Sequence, residues 1–318
     1  MSEVTGARII GFGGYQPDKV VTNDDLSKLV DTTDDWIRSR VGIQSRRVAR
    51  DDETVADMAE AAGAKALAAS GLEPSEVDLV IVATCSPEVP LPNVAATVAY
   101  RLGIPAPGAY DLNAACAGFC YAIAAAADSV RSGSARNVLV IGAEKMTSWV
   151  DWTDRSTCII FADGAGAAVV GATAPGEPTG IGPVVWGSAG DQADKIIITG
   201  RTGAMAQDGQ AVFRWATTAM APVALEACRR AGVTPADITA FIPHQANLRI
   251  IEAIARKLGI PRERVADDII TAGNTSSASV PLALARMAEQ GKLQPGTPAL
   301  LIAFGAGLSY ASQVITVP

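Results

Sequence analysis

The chain has few of the groups that metal sites are built from. Among its 318 residues there is a single histidine, His244. Five cysteines, Cys85, Cys116, Cys120, Cys158 and Cys228, form an odd set in a chain too large to need disulfide staples. Cys116 and Cys120 lie one helical turn apart, but no second cysteine pair or histidine-rich element accompanies them. The opening glycines of IIGFGGYQP lack the full G-x-G-x-x-G spacing and read as a turn, not a dinucleotide loop. Positive charge is not in excess either. A formal charge of −7 argues against nonspecific nucleic-acid binding and leaves room for a local basic patch. The longest apolar run, Ala114 to Ala127, is too short for a membrane span, contains glycine and suits a buried helix. The start lacks the basic, apolar and cleavage segments of a secretory signal, so a cytoplasmic protein is expected.

What is present is apolar. Hydrophobic residues make up 49% of the chain and the mean hydropathy is +0.23, which indicates a well-buried globule. Apolar strands alternate with helices, and the pattern predicts an α/β fold. Thr22 or Asn23 can cap a short helix, and Thr33 can open another in which Trp36 and Arg40 share a face. An alanine-rich helix is predicted over Thr54–Ser70, with strands over Asp78–Cys85 and around Val138–Ile141. WTDRSTCIIFADGAGAAVVGA reads as two short strands split by a glycine turn at Asp163–Gly166.

The second half echoes the first in order. SGLEPSEVDLVIVAT from Ser70 returns as RAGVTPADITAFIPH from Arg230, and NVLVIGAEK returns as ALLIAFGAG from Ala299. RLGIP from Arg101 returns as KLGIP from Lys257, an offset of 257 − 101 = 156. Two similar α/β halves are therefore expected, 1–175 and 176–318, with a binding crevice where they meet. At that offset Cys116 maps near residue 272, close to Asn274.

The chain is organised around Asp111–Ala127, DLNAACAGFCYAIAAAA. An extended approach ends in Cys116 and an alanine-rich helix follows, which places the thiol near a helix N-terminus, where a thiolate is favoured. A small packed thiol in a core helix is the alternative. His244, in FIPHQANLRI, follows a predicted strand and precedes a helix. Asn274, in AGNTSSAS, is placed in the same way. A cysteine, histidine and asparagine at three such junctions fit two chemistries. In a hydrolase, histidine activates cysteine and asparagine orients histidine. In a carbon–carbon bond former, cysteine holds an acyl group while histidine and asparagine face the second substrate's thioester carbonyl and stabilise enolate charge.

DLNAACAGF, IPHQANLRI, GNTSSASVP and AFGAG, together with TNDDL, DDWIRSRVGI and FADGAGA, resemble the signature segments of the β-ketoacyl-acyl carrier protein synthase III family of the thiolase superfamily. The likeness covers essentially the whole chain. It implies a duplicated αβαβα fold, a homodimer, and no permanently bound cofactor, with acyl-CoA as substrate. By the same resemblance Cys116 is acylated by an acyl-CoA primer. His244 and Asn274 promote decarboxylation of malonyl-acyl carrier protein, and the enolate attacks the acyl-cysteine to start fatty-acid synthesis. Backbone N–H groups of Cys116 and Ala306 would meet the oxyanion; Ala306 stands where many relatives have glycine. Phe304 and Asn247 resemble active-site neighbours. Trp36 and Arg155 resemble residues flanking the CoA adenine, and Arg40 a phosphate contact. Leu91 aligns with an acyl-channel residue that reaches across the dimer. Arg249, Arg256 and Lys257 fall in the region that docks the acidic carrier protein. A starter condensation or acyl transfer in specialised polyketide metabolism is the alternative implied.

Overall fold

Short polar residues start the first helices. Thr22, Thr33 and Thr54 accept hydrogen bonds from the backbone N–H groups of Asp25, Trp36 and Asp57, satisfying donors that the first turn leaves free. Gly42 and Gly71 end the second and third helices in the left-handed conformation that glycine adopts most readily. The computed structural model describes residues 6–174, 176–200 and 203–318. Its strands are β1 (Ala7–Tyr15), β2 (Lys19–Thr22), β3 (Ser45–Val48), β4 (Leu79–Ala83), β5 (Gly108–Leu112), β6 (Asn137–Lys145), β7 (Asp163–Ala172), β8 (Val185–Ser188), β9 (Ile196–Ile198), β10 (Met205–Gln207), β11 (Ala240–Pro243), β12 (Pro298–Phe304) and β13 (Ser309–Thr316). Its helices are α1 (Asn23–Leu26), α2 (Asp34–Val41), α3 (Val55–Ser70), α4 (Val94–Arg101), α5 (Gly118–Arg131), α6 (Gly209–Arg230), α7 (Leu248–Leu258), α8 (Ile269–Ala272) and α9 (Ser279–Glu289).

Two mixed sheets repeat one topology. The first has the order β1-β7-β6-β4-β5 and the second β8-β13-β12-β11, with Val265 bridging Phe241 where a fifth strand would lie. In the first sheet β6, β4 and β5 run parallel and β7 pairs antiparallel with both β1 and β6; in the second β11 and β12 run parallel and β13 pairs antiparallel with both β12 and β8. Leu79 pairs with Val138 and Ala240 with Ala299, so both partners advance by 161 (240 − 79 and 299 − 138).

The apolar clusters show the layering. α3 and α4 cover the outer face of the first sheet, α5 and α9 lie between the sheets, and α6 and α7 cover the outer face of the second. The result is a five-layer αβαβα arrangement. Among the described residues no helix is long and apolar enough to cross a membrane.

Three expectations change. Asp163–Gly166 is not a turn: all four residues lie in the single strand β7. Its glycines serve close packing, because a Cβ on Gly166 would sit 2.3 Å from the backbone N of Leu282 in α9. The offset of 156 holds from Arg101/Lys257 to Ala109/Val265, the residues paired beside β4 and β11. An insertion then raises it to 161, and Cys116 corresponds to Ser277 instead of a residue near 272. The segment before Asn274 is the four-residue helix α8, not a strand, and Asn274 itself bridges Phe161.

Candidate active site

The turn that presents Cys116 is made twice. Beyond β5, the Asn113 side-chain oxygen accepts from Ala115 N at 3.1 Å, Ala115 takes φ +47°, and a 3-10 turn over Ala115–Ala117 leads into α5. In the other half Asn274 Oδ1 accepts from Ser276 N at 2.8 Å, Ser276 takes φ +50°, and a 3-10 turn over Ser276–Ala278 leads into α9. Asparagine suits both places because its carbonyl caps a backbone N–H two residues on. Since the Asn274 oxygen is committed to that bond, what the side chain can offer a ligand is its amide N–H donors.

His244 follows β11 and is 2% exposed. Its backbone N–H donates to Ile302 O at 2.7 Å, and its Nδ1 lies 2.7 Å from Ser279 Oγ. Phe304 packs edge-on against the imidazole, with ring centroids 5.4 Å apart. Burial pushes the imidazole down to about 3, so it is neutral at physiological pH.

Cys116 lies against the turn after β12. A Cβ on Gly305 would fall 2.7 Å from Cys116 N, so only glycine lets the two backbones meet. Behind the thiol is the fully buried Glu144 carboxylate. It accepts from Ser86 Oγ (2.5 Å), Ser277 Oγ (2.8 Å), Ser276 Oγ (3.1 Å), Cys85 N (3.1 Å) and Thr84 Oγ1 (3.2 Å). The helix-end position predicts a thiolate, but the structure points the other way. Burial pushes the Cys116 thiol up to about 12; a hydrogen bond from Ser276 lowers it and the charge of Glu144 raises it further. Desolvation of the anion thus opposes the helix end and favours the thiol as the resting group.

A cavity of about 870 Å³ gathers most of the expected residues. Cys116, His244, Asn274, Phe304 and Ala306 line it together with Trp36, Arg40, Arg155, Asn247 and Arg249. Arg155 and Arg40 stand over the Trp36 ring, their guanidinium carbons 4.6 and 5.5 Å from its centroid. Asn247 caps α7, accepting from Arg249 N at 2.9 Å, and its Nδ2 donates to Arg40 O at 3.2 Å. The walls that the sequence did not point to are Ile196, Ile198, Met205, Val212 and Phe213; Arg249 lies over the Phe213 ring at 5.1 Å. Three expected residues lie elsewhere. Leu91 is 81% exposed and outside the cavity of its own chain. Arg256 and Lys257 lie farther along α7, on the surface, and Lys257 Nζ donates to Thr217 O at 2.6 Å. Glu144, Ser279 and the β9–β10 hairpin carried no sequence signal beyond ordinary polar and apolar residues.

A family model described as 3-oxoacyl-[acyl-carrier-protein (ACP)] synthase III matches residues 110–190, and the one for its C-terminal part matches 228–317. β-Ketoacyl-[acyl-carrier-protein] synthase III 4 of Streptomyces coelicolor is 55% identical, over 98% of this chain and 99% of its own length. The solved priming β-ketosynthase from the R1128 polyketide biosynthetic pathway superposes with a TM-score of 0.97 at 44% identity, over 100% of this chain and 98% of that one. The synthase III of Aquifex aeolicus gives a TM-score of 0.94 at 42% identity, covering 98% of this chain and all of that one. By sequence along its whole length and by the duplicated thiolase-like architecture, the chain belongs to the 3-oxoacyl-[acyl-carrier-protein] synthase III family.

Proposed function

We infer that the chain condenses an acyl-CoA primer with malonyl-acyl carrier protein, giving β-ketoacyl-acyl carrier protein, carbon dioxide and CoA, and so begins fatty-acid synthesis. The observation that carries the residue roles is the shared cavity, into which a thiol, a neutral imidazole and a carboxamide converge. Cys116 Sγ attacks the primer thioester carbon and the CoA thiol leaves with the proton. Backbone N–H groups of Cys116 and Ala306, on turns that touch at Gly305, meet the oxyanion. The malonyl thioester carbonyl then takes hydrogen bonds from His244 and Asn274. The bond to the carboxylate breaks, carbon dioxide leaves, and the electron pair passes into an enolate held by those donors. The enolate carbon attacks the acyl carbon on Cys116, and the sulfur departs as a thiolate and takes a proton from solvent. Residues 1–175 supply the nucleophile and 176–318 the carbonyl donors.

Trp36 with its two arginines has the chemistry for a nucleotide: an aromatic plane for the base and guanidinium groups for phosphate. Arg249, Arg256 and Lys257 form the docking face for the carrier protein. A homodimer is supported by the free edge of β5, beside which Tyr110, Tyr100, Leu91 and Val89 are exposed. Across such an interface Leu91 would enter the partner's acyl channel. The likeness to a priming ketosynthase favours a second reading, starter loading in specialised metabolism, which differs in the product released.

Intact-protein mass spectrometry after exposure to acetyl-, branched and longer acyl-CoAs tests the scheme. An adduct that Cys116→Ala abolishes, and that disappears as a ketoacyl product and carbon dioxide form, is expected. An adduct passed on without loss of carbon dioxide would make the enzyme an acyl transferase.

A further inference from the structure

We propose that Ser279 is a positioning residue that fixes which nitrogen of His244 carries the proton. Its hydroxyl donates to Nδ1, so Nε2–H is the edge presented to substrate, and the imidazole acts as a neutral hydrogen-bond donor instead of the base that deprotonates Cys116. The proposal rests on the condensation reading above and adds to it the direction of one proton.

Donor and acceptor satisfaction sets the direction of the bond between His244 and Ser279. His244 Nδ1 is 2.7 Å from Ser279 Oγ, and both residues are at most 2% exposed. Ser279 Oγ also lies 3.3 Å from Gln245 N, and an amide can only donate, so there the oxygen accepts. Among the described residues these are the two partners of the hydroxyl. A hydroxyl has one proton to give. If Nδ1 also donated to Ser279, that proton would be buried with no acceptor, which costs more than an ordinary hydrogen bond returns.

The surroundings hold this arrangement in place. Gln245 Nε2 donates to Pro243 O (2.7 Å) and Ala266 O (3.4 Å), and its Oε1 accepts from Ile269 N (3.0 Å). The peptide that aims an N–H at Ser279 is therefore fixed. The imidazole cannot turn over freely, since Phe304 stands against it edge-on. Ser279 begins α9, so the helix following the Asn274 turn also sets the tautomer of the histidine beside it. One segment, 274–279, thus supplies one carbonyl donor directly and orients the other.

His244 is the only histidine in the chain, so ¹⁵N-histidine labelling gives two ring resonances free of overlap. In the wild-type protein Nε2 is expected at the protonated position and Nδ1 at the unprotonated one, unchanged between about pH 5.5 and 8. Ser279→Ala is expected to shift both toward a tautomer average, and Ser279→Thr to restore them. In assays Ser279→Ala should form the Cys116 acyl adduct at the wild-type rate, while kcat for loss of carbon dioxide from malonyl-acyl carrier protein falls about 10- to 100-fold with KM little changed. Ser279→Thr should recover most of that loss. A wild-type spectrum with the proton on Nδ1, or a Ser279→Ala spectrum identical to wild type, overturns the proposal. So does slowing of acylation and decarboxylation by the same factor, because that is what a generally loosened site would do. Failure of the condensation reading is distinct: wild-type enzyme would then release no carbon dioxide whatever the spectrum shows.

Discussion

At the scale of single residues, desolvation pushes both Cys116 and His244 toward their neutral forms. The Cys116 thiol is held up to about 12, so its alkylation by iodoacetamide at neutral pH should run below that of a free cysteine and climb about tenfold per pH unit to about pH 10. A plateau near neutrality would mean that the N-terminal end of α5 overcomes desolvation after all. For His244 the sign is that of a depressed base. Its folded value of about 3 lies below the ordinary 6.5, so below pH 6.5 the unfolded chain binds a proton that the folded chain refuses. Stability is therefore lost as pH falls from about 6.5 toward 3. The group's share at pH 5 is about 2 kcal/mol, measurable as a smaller urea-midpoint drop between pH 7.5 and 5 in His244→Gln than in wild type. That Cys116, His244 and Asn274 share one cavity was legible in the sequence because each stands where an apolar run meets a helix start. Ser279 and Glu144 were not, since a serine in the first turn of a helix and an acid at a strand end have ordinary uses, and only the folded contacts show Ser279 against His244 and Glu144 against the serines of the Asn274 turn.

At the scale of elements, glycine inside strands marks the places where helices approach most closely. A Cβ on Gly142 would meet Ser277 O at 2.5 Å, and one on Gly166 would meet Leu282 N at 2.3 Å. Both obstacles are backbone, so no side chain can move aside. Gly166→Ala is expected to destabilise by about 3 kcal/mol or more and to lower the melting temperature by several degrees; a calorimetric melt matching wild type would show that α9 can retreat. Gly305→Ala should spare the fold more and the chemistry less, since its new Cβ falls 2.7 Å from Cys116 N. Acylation by acyl-CoA, followed by adduct mass, is expected to slow at least tenfold. The same glycines explain the misread turn in β7. In one dimension a glycine cluster looks like a bend, and its role as a seat for α9 requires a partner more than a hundred residues away. Helix starts at Thr22, Thr33 and Thr54 read correctly because a cap is a contact between near neighbours.

At the scale of the whole molecule, the repeat was visible because the strands and their short connectors kept both order and spacing. In the second half the equivalent of β5 is reduced to the single bridge at Val265, so that sheet ends at β11, while the first ends in the five-residue strand β5. That asymmetry supports association through β5. Wild-type protein is expected to sediment at twice the chain mass, and Tyr100→Arg combined with Tyr110→Arg to shift it toward the single chain with loss of activity on longer primers. A wild-type monomer with full activity would remove the partner from the primer channel. The two asparagine turns carry a further consequence. Asn113 and Asn274 bend the chain in the same way and both line the cavity, yet in one copy the residue three positions on is Cys116, the proposed nucleophile, and in the other that position is Ser277, given over to Glu144. Two identical halves would have to serve both tasks with one set of residues. Because both copies lie in one chain, each position of the repeat can hold a different side chain, and the inequality of the halves is what separates the proposed tasks.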